Sequence, residues 1–155
     1  MNVLVTGGAG YTGVKLVERL LHERHSVTVL DNFMYGYGSI LHLASQRKLN
    51  VVDYDIRNVT RQTVAGFDVV YHLAGIVGMP ACEANSHSAE SINVNATRRL
   101  VETLGSSQLL INASTTSLYG RSGDACNESA HVAPVSVYGR TKHQAETIVH
   151  ERDNS

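Results

Sequence analysis

A glycine-rich turn between an apolar segment and an amphipathic segment constrains this chain more than any other feature. Asn2 to Val5 is a short β-branched run, which predicts a buried strand, and Thr6 opens the turn that follows. From Tyr11 to Leu21 the apolar side chains recur on one face with the period of a helix. Three glycines at spacings of three residues lie between the strand and the first turn of that helix: Gly7, Gly10 and Gly13. This order of elements predicts the first unit of a parallel α/β fold.

The three glycines suit a loop that holds a dinucleotide pyrophosphate. Gly7 permits a tight turn, Gly10 lets the backbone approach the phosphates, and Gly13 lets the helix pack closely on the strand. The N-terminus of the helix adds free N–H groups and the positive end of the helix dipole. Turns use glycine for many other reasons, so the pattern needs support from elsewhere in the chain.

An acidic residue at the end of the second predicted strand supplies that support. Ser26 to Leu30 forms the strand, and Asp31 follows it, where a carboxylate can accept hydrogen bonds from an adenosine ribose. A carboxylate repels a 2′-phosphate, and no Arg or Lys lies between Asp31 and Arg47. The sequence therefore predicts NAD rather than NADP as the cofactor. The simpler interpretation is that Asp31 only begins a turn.

Composition excludes several classes of protein. The chain has 155 residues, of which 43% are hydrophobic, so we expect a single domain over residues 1–155 with a sizeable core. A formal net charge of −1 without a basic block argues against nucleic-acid binding. No apolar run approaches the length of a membrane span and no basic leader precedes the first strand, so we expect a cytoplasmic protein.

Cysteine and histidine usage indicates neither disulfides nor a metal. Cys82 and Cys126 lie far apart and form no metal-spaced motif, which fits a reducing compartment. The eight histidines share no motif, and His22 with His25 is more typical of a solvated helix end than of a ligand pair. We therefore expect no metal site.

The rest of the chain alternates strands and helices, which predicts a doubly wound parallel sheet with helices on both faces. Further strands are expected at 49–52, 68–73 and 108–113. Helices are expected at 40–44 after a Ser39 cap, at 58–65 with Asn58 as its cap, at 86–104 and at 137–151. Ligands bind outside the carboxyl ends of strands in such sheets, so one crevice should collect five residues: Gly7, Asp31, Asp55, Ala74 and Ser114.

A tyrosine and a lysine four residues apart carry the predicted chemistry. Tyr138 and Lys142 share one face of the last helix, and an ammonium beside a phenol favours the phenolate, a usable general base. A cluster of hydroxyl side chains, Ser114-Thr115-Thr116-Ser117, follows the fifth strand directly, and a strand-end hydroxyl can bond both a substrate oxygen and the tyrosine. The simpler interpretations are surface packing for the pair and a strand-ending turn for the hydroxyls.

Taken together, the motifs of this chain resemble the extended short-chain dehydrogenase/reductase family, in its NAD-dependent nucleotide-sugar epimerase/dehydratase branch. They follow the family order through nearly the whole chain: Thr6 to Gly13, Asp31-Asn32, Asp55-Ile56-Arg57, His72 to Gly75, Asn93 to Thr97, Ser114-Thr115 with Leu118-Tyr119-Gly120, and Tyr138 to Lys142. The resemblance implies a Rossmann-type fold, NAD as cofactor, and hydride removal and return at a carbinol carbon of a nucleotide sugar.

The resemblance also implies which residues bind NAD. The pyrophosphate would be held at the glycine turn and the start of the helix: Gly7, Gly10, Tyr11, Thr12 and Gly13. The adenosine half would be bound at the ends of the second and third strands: Asp31 and Asn32 at the ribose, Asp55 and Ile56 at the adenine. The nicotinamide half would lie along the end of the fourth strand: Leu73, Ala74 and Gly75, with Asn93 behind them.

The catalytic roles follow from the same resemblance. Tyr138 would be the base, and Lys142 would also bind the nicotinamide ribose. Thr115 matches the catalytic Ser/Thr of the family, with Ser114 as its neighbour.

Ala96, where many family members have Gly, is a mild departure from the family pattern, and two other departures bear on function. Sugar 4,6-dehydratases of the family carry an Asp-Glu pair after that threonine, whereas this chain has Thr116-Ser117, which cannot serve as acid and base for loss of water. The chain also ends shortly after the Tyr138–Lys142 helix, so the sheet is expected to be truncated before the substrate-binding lobe. Exposed apolar surface there would promote association, so a homo-oligomer is expected.

Three functions stay open at this point. The first is a nucleotide-sugar epimerase, whose intact form takes a nucleotide sugar as substrate. The second is a nucleotide-sugar dehydratase or reductase on the same scaffold, and the missing acid pair weighs against the dehydratase. The third is a truncated NAD-binding protein without turnover, although the presence of both Tyr138 and Lys142 weighs against long neutral drift.

Overall fold

Five parallel strands form the centre of the fold. The computed structural model describes residues 1–120 and 125–152. The strands are β1 (Asn2–Thr6), β2 (Ser26–Asp31), β3 (Leu49–Asp53), β4 (Val69–His72) and β5 (Leu109–Asn112). They pair in the order β3-β2-β1-β4-β5, and each of these pairings is parallel. The predicted Rossmann-type parallel sheet is therefore confirmed.

Helices connect the strands, as parallel pairing requires a crossover between neighbours. They are α1 (Tyr11–His22), α2 (Arg61–Val64), α3 (Met79–Ala84), α4 (Ser86–Glu90), α5 (Ala96–Thr103) and α6 (Val137–His150). A π-helical segment, Ser91–Asn95, joins α4 to α5. The helix predicted at 86–104 is therefore continuous, with π-helical geometry in its middle. Short 3-10 turns occur at Leu41–Leu43, Ile56–Asn58 and Thr116–Tyr119.

Two apolar cores, one on each face of the sheet, hold the helices against the strands. Successive strand residues point to opposite faces, so Val3 and Val5 pack in one core and Leu4 packs in the other. Helix α1 enters the first core through Val17 and α5 enters the second through Leu100, and both side chains are 0% exposed. Each such burial stabilises the fold by about 1.5–3 kcal/mol. The packing of α1 on β1 therefore holds the glycine turn that connects them in position.

The ends of the elements were the most reliable part of the prediction for the strands and the long helices. All five strands, α1 and α6 begin and end within one residue of the predicted bounds. These elements have strong apolar periodicity and are bounded by glycine or polar residues, which fixes their ends locally.

Two predicted helix caps are wrong. Thr60 rather than Asn58 caps the helix in this region, since its hydroxyl accepts a hydrogen bond from the Thr63 N–H at 3.3 Å. Asn58 instead ends the preceding 3-10 turn. Ser39 caps no helix, because its hydroxyl donates to the Ala9 carbonyl at 2.6 Å. The polar side chain at Ser39 therefore supports the glycine turn and leaves the neighbouring 3-10 turn uncapped.

Candidate active site

The strand order reverses beside β1, where a parallel sheet is expected to form a binding crevice. The chain proceeds from β1 outward to β2 and β3, and then returns to β4 and β5 on the other side of β1. At such a reversal the connections diverge to opposite faces and leave a cleft at the carboxyl ends of the strands. The residues that the sequence places at these ends therefore lie along a single edge of the sheet, as predicted for a binding crevice.

The glycine turn presents backbone rather than side chains to this crevice. Gly7 has φ +70°, and a Cβ atom there would lie 2.6 Å from the Ala74 nitrogen, so only glycine fits this turn. A Cβ atom at Gly13 would collide with the Gly7 carbonyl. Gly10 is the N-cap of α1 and offers no side-chain cap to the first amides of the helix. Those amides stay available to an anion, and the neighbouring Tyr11 is 96% exposed.

Asp31 ties the glycine turn to the loop after β2. Its carboxylate accepts hydrogen bonds from the Ala9 N–H at 3.0 Å and from the Phe33 N–H at 2.9 Å. The bond from Phe33 is the turn role that the sequence offered as the simpler interpretation of Asp31, and the bond from Ala9 is an additional structural role. The adjacent Asn32 lies on the surface, and its side-chain oxygen accepts a hydrogen bond from the Met34 N–H at 3.2 Å.

Asp55 and Ile56 differ in their surroundings. The Asp55 carboxylate caps the 3-10 turn and pairs with Arg57, with 2.5 Å between Oδ2 and Nη2. The hydrogen bonds from Arg57 hold the pKa of Asp55 below its ordinary value. Ile56 is 7% exposed and belongs to the core that contains Leu100. Of the two residues expected at the adenine, only Asp55 offers a polar side chain at the rim.

Asn93 joins the loop after β4 to helix α6. Its side-chain amide accepts from the Ile76 N–H at 2.8 Å and donates to the Ile76 carbonyl at 3.0 Å. The same amide donates to the Thr141 hydroxyl at 3.2 Å, and that hydroxyl donates to the Tyr138 carbonyl at 3.0 Å. A Cβ atom at Gly75 would lie 2.9 Å from the Asn93 oxygen. The predicted nicotinamide wall and the predicted catalytic helix are therefore one bonded unit.

A buried histidine continues this network toward the glycine turn. His72 is 2% exposed, with Nδ1 at 2.7 Å from the Thr6 hydroxyl and Nε2 at 2.9 Å from the Thr97 hydroxyl. Thr97 donates its proton to the Asn93 carbonyl at 2.8 Å, so it must accept from His72 Nε2–H. Thr6 then donates to Nδ1 and also accepts from the Ala74 N–H at 3.3 Å. A neutral imidazole therefore satisfies every group in the chain of bonds.

The charge state of His72 follows from its burial. Desolvation, with a smaller contribution from the positive charge of Lys142, lowers its pKa from 6.5 to about 3. His72 belongs to the His72 to Gly75 motif, but the sequence predicted no role for its side chain. A lone polar residue in the otherwise apolar run of β4 was the available signal.

Helix α6 carries the predicted base. Ser136 caps it, since its hydroxyl accepts from the Gly139 N–H at 3.0 Å, and this fixes the first turn where Tyr138 lies. Lys142 lies one turn further on the same face. Burial lowers the pKa of Lys142, and the carboxylate of Glu146 partly opposes that shift. Among residues 1–120 and 125–152, the Lys142 ammonium makes no hydrogen bond or ion pair, so it is available to a ligand.

The hydroxyl cluster after β5 lies against this helix. Thr115 caps the 3-10 turn Thr116–Tyr119 and accepts from the Ser117 N–H at 3.2 Å. Ser114 donates to the carboxylate of Glu146. Sequence reasoning missed Glu146, although its spacing of four from Lys142 was a usable signal.

Two other site types were considered for the described part of the chain. Within residues 1–120 and 125–152, no helix combines the length and the apolar character that crossing a bilayer requires. In the same residues, no group of three or more His, Cys, Asp or Glu side chains is placed to hold a metal ion.

Curated proteins of similar sequence include enzymes that act on nucleotide sugars. A Bacillus subtilis (strain 168) protein described as the uncharacterized UDP-glucose epimerase YtcB is 32% identical over 165 residues, which cover 97% of this chain and 51% of that protein. A UDP-N-acetyl-alpha-D-glucosaminuronate decarboxylase of Bacillus cytotoxicus is 34% identical over 121 residues, 76% of this chain and 37% of that protein. Thus the chain spans about half the length, or less, of these curated relatives.

A solved structure extends the likeness to three dimensions. The UDP-glucuronic acid 4-epimerase of Bacillus cereus, in complex with NAD, superposes with a TM-score of 0.89 at 30% identity. The match covers 98% of this chain and 52% of that one. Residues 3–155 also match the model of the NAD dependent epimerase/dehydratase family. The chain therefore belongs to the NAD dependent epimerase/dehydratase family.

Proposed function

We propose that this chain is the NAD-binding part of a nucleotide-sugar epimerase. The reaction removes hydride from a carbinol carbon of the sugar and returns it to the other face. One observation carries the proposal: Asn93 bonds the loop at Ile76 to Thr141, on the helix that also bears the predicted base. A cofactor wall and a base joined in this way can hold a sugar hydroxyl and a hydride acceptor together.

The residues of the crevice fit NAD. The glycine turn has no side chain that would exclude a pyrophosphate, and the amides at the start of α1 have no side-chain cap. Asp31 would accept from the adenosine ribose while it continues to hold the turn. When bound, NAD supplies the acceptor and then the donor of hydride, and Lys142 would bind its nicotinamide ribose.

Side chains of this chain would carry out the proton transfer that accompanies hydride transfer. Deprotonated Tyr138 would take the proton from the sugar hydroxyl as the C–H bond gives up hydride, with Lys142 one helical turn away on the same face. The sugar becomes a ketone at that carbon. Thr115 orients the hydroxyl, and the proton returns from Tyr138 when hydride returns to the opposite face.

Two alternatives remain to be tested. A dehydratase or reductase on the same scaffold would use the same crevice, but Thr116-Ser117 lacks the carboxyl pair that water loss requires. A truncated NAD-binding protein would bind cofactor without turnover. Turnover of UDP-, GDP- and dTDP-sugars by this chain and by a full-length homologue would distinguish the three. NAD that stays tightly bound after turnover would favour the epimerase over the reductase.

Asp31→Ala is expected to weaken NAD binding by roughly 1–3 kcal/mol and to reduce the preference for NAD over NADP. The lost carboxylate would bond the ribose and repel a 2′-phosphate. Isothermal titration calorimetry with each cofactor measures both effects. Equal affinity of the unmodified chain for NAD and NADP would contradict the role of Asp31.

Asp53→Ala is the matched control for this prediction. Asp53 ends β3 and pairs in register with Asp31, and its carboxylate accepts from the Tyr37 hydroxyl at 3.1 Å. The change removes the same charge from a neighbouring strand end. We expect its NAD affinity to stay close to that of the unmodified chain.

We also propose a cytoplasmic homo-oligomer whose substrate is a nucleotide sugar. Leu109 and Ile111 on the edge strand β5 are 47% and 37% exposed, and an apolar edge of this kind favours pairing with a second copy. Sedimentation velocity should show association that Ile111→Lys reduces. A stable monomer at high concentration, without apolar surface detectable by a hydrophobic dye, would contradict the proposal.

A further inference from the structure

The loop after β5 is attached to helix α6 at two separate points. At the start of the helix, a Cβ atom on Gly139 would lie 2.7 Å from the Ser117 carbonyl oxygen, so the two backbones are in direct contact. Further along, the Ser114 hydroxyl donates to Oε2 of Glu146. The two attachment points on the helix are seven residues apart, which is about 10 Å along the axis.

The two attachments bracket the predicted reacting groups. Tyr138, Lys142 and Glu146 follow one another at spacings of four, so they share one face of the helix. On the loop, Thr115 lies between the two residues that make the attachments. The Ser117 contact is a backbone contact and sets only one end of the loop. The other end follows directly from β5, and the Glu146 side chain attaches it to the helix.

The negative charge of Glu146 also acts on Lys142, on the same face of the helix. Burial lowers the pKa of Lys142, and the negative charge of Glu146 acts in the opposite sense. His150 lies on the next turn, with its Nε2 at 3.9 Å from Glu146 Oε1. The Glu146 carboxylate therefore accepts a hydrogen bond from the hydroxyl loop and acts electrostatically on the half-buried ammonium of Lys142.

We propose that Glu146 is a positioning residue of this active site, which through Ser114 fixes the Thr115 hydroxyl relative to Tyr138. The role rests on the proposed function for the identity of Thr115 and Tyr138 as reacting groups. The attachment itself is a property of the folded chain and needs no cofactor. Glu146 acts through Ser114 and does not touch the substrate.

Amide hydrogen exchange of the 155-residue chain tests the attachment without cofactor or substrate. The Ser117 and Leu118 amides, which bond to Thr115, should exchange at least about fivefold faster in Glu146→Ala and in Ser114→Ala. Glu146→Gln should stay near the unmodified chain, because an amide oxygen can still accept from Ser114. Unchanged exchange in Glu146→Ala would overturn the proposal.

The second measurement is the rate at which UDP-glucose reduces NAD⁺ bound to this chain joined to the carboxyl-terminal half of a homologue. Glu146→Ala should lower this rate at least about tenfold while the NAD⁺ dissociation constant changes less than about twofold. Glu146→Gln should recover most of the rate. A Gln variant as slow as the Ala variant would show that charge rather than attachment matters, and would overturn the proposal.

Two further variants complete the design. The double variant Ser114→Ala with Glu146→Ala should be no slower than the slower single variant, because both residues act through one contact. Additive losses would contradict that. Glu151→Ala, which removes an exposed carboxylate just beyond the same helix, should change neither measurement. A joined protein with unmodified Glu146 that reduces no NAD⁺ would count against the proposed function, and the exchange measurement would still decide the role of Glu146.

Discussion

Tyr138→Phe is expected to lower turnover at least about 100-fold while NAD binding is retained. The phenyl ring keeps the packing of the first turn of α6, but it cannot take the proton of the sugar hydroxyl. General-base catalysis typically contributes about 10²–10⁴-fold, which sets the size of the loss. The measurement is steady-state turnover of a UDP-sugar by this chain joined to the carboxyl-terminal half of a homologue, with NAD affinity measured by calorimetry.

Two variants control this experiment. Tyr35→Phe removes a phenol that is 83% exposed on the loop after β2, and its turnover should equal that of the unmodified protein. Thr115→Ala should lower turnover less than Tyr138→Phe does, because Thr115 orients the sugar hydroxyl and does not take its proton. If the Phe variant keeps near-normal turnover, or if Thr115→Ala is the more damaging change, then Tyr138 is not the base.

Acidification is expected to destabilise the fold through His72. Burial depresses its pKa from 6.5 to about 3, so below pH 6.5 the unfolded chain binds a proton that the folded chain does not. The stability that this histidine contributes is therefore present above the unfolded pKa and is lost as the pH falls toward the folded pKa. The loss amounts to roughly 2 kcal/mol between about pH 6.5 and about pH 4.5.

The contribution of His72 can be separated from that of the carboxylates. Glutamine at this position keeps a donor and an acceptor for Thr97 and Thr6 but does not titrate in this range. His72→Gln is expected to be less stable than the unmodified chain at neutral pH, and its free energy of unfolding should change less with pH. Urea unfolding of both chains across this pH range gives the difference. Parallel curves would show that His72 does not carry the acid sensitivity.

The strand–turn–helix unit was predictable because its signals are local. The glycine spacing, the apolar period of α1 and the β-branched run of β1 each lie within a few residues of one another. The same is true of Asp31 after β2 and of the spacing between Tyr138 and Lys142. Such patterns encode backbone conformation and which face is buried, and these depend mainly on nearby residues.

The polar network that joins these pieces was not predictable from the same signals. His72 bonds to Thr97 across twenty-five residues, and Asn93 bonds to Thr141 across forty-eight. Each partner is one of many similar side chains in the chain, so spacing alone cannot select it. The selection occurs when β4, α5 and α6 pack and the buried polar groups must find partners.

The sequence by itself determined the parallel α/β class, the glycine turn and the position of the predicted base. Only the tertiary structure decided that Thr60 caps α2, that Asp31 also holds the glycine turn, and that Ser114 meets Glu146. The physical reason is the same in each case. Propensity and periodicity act along the chain, whereas a hydrogen bond depends on which groups packing brings within about 3 Å of each other.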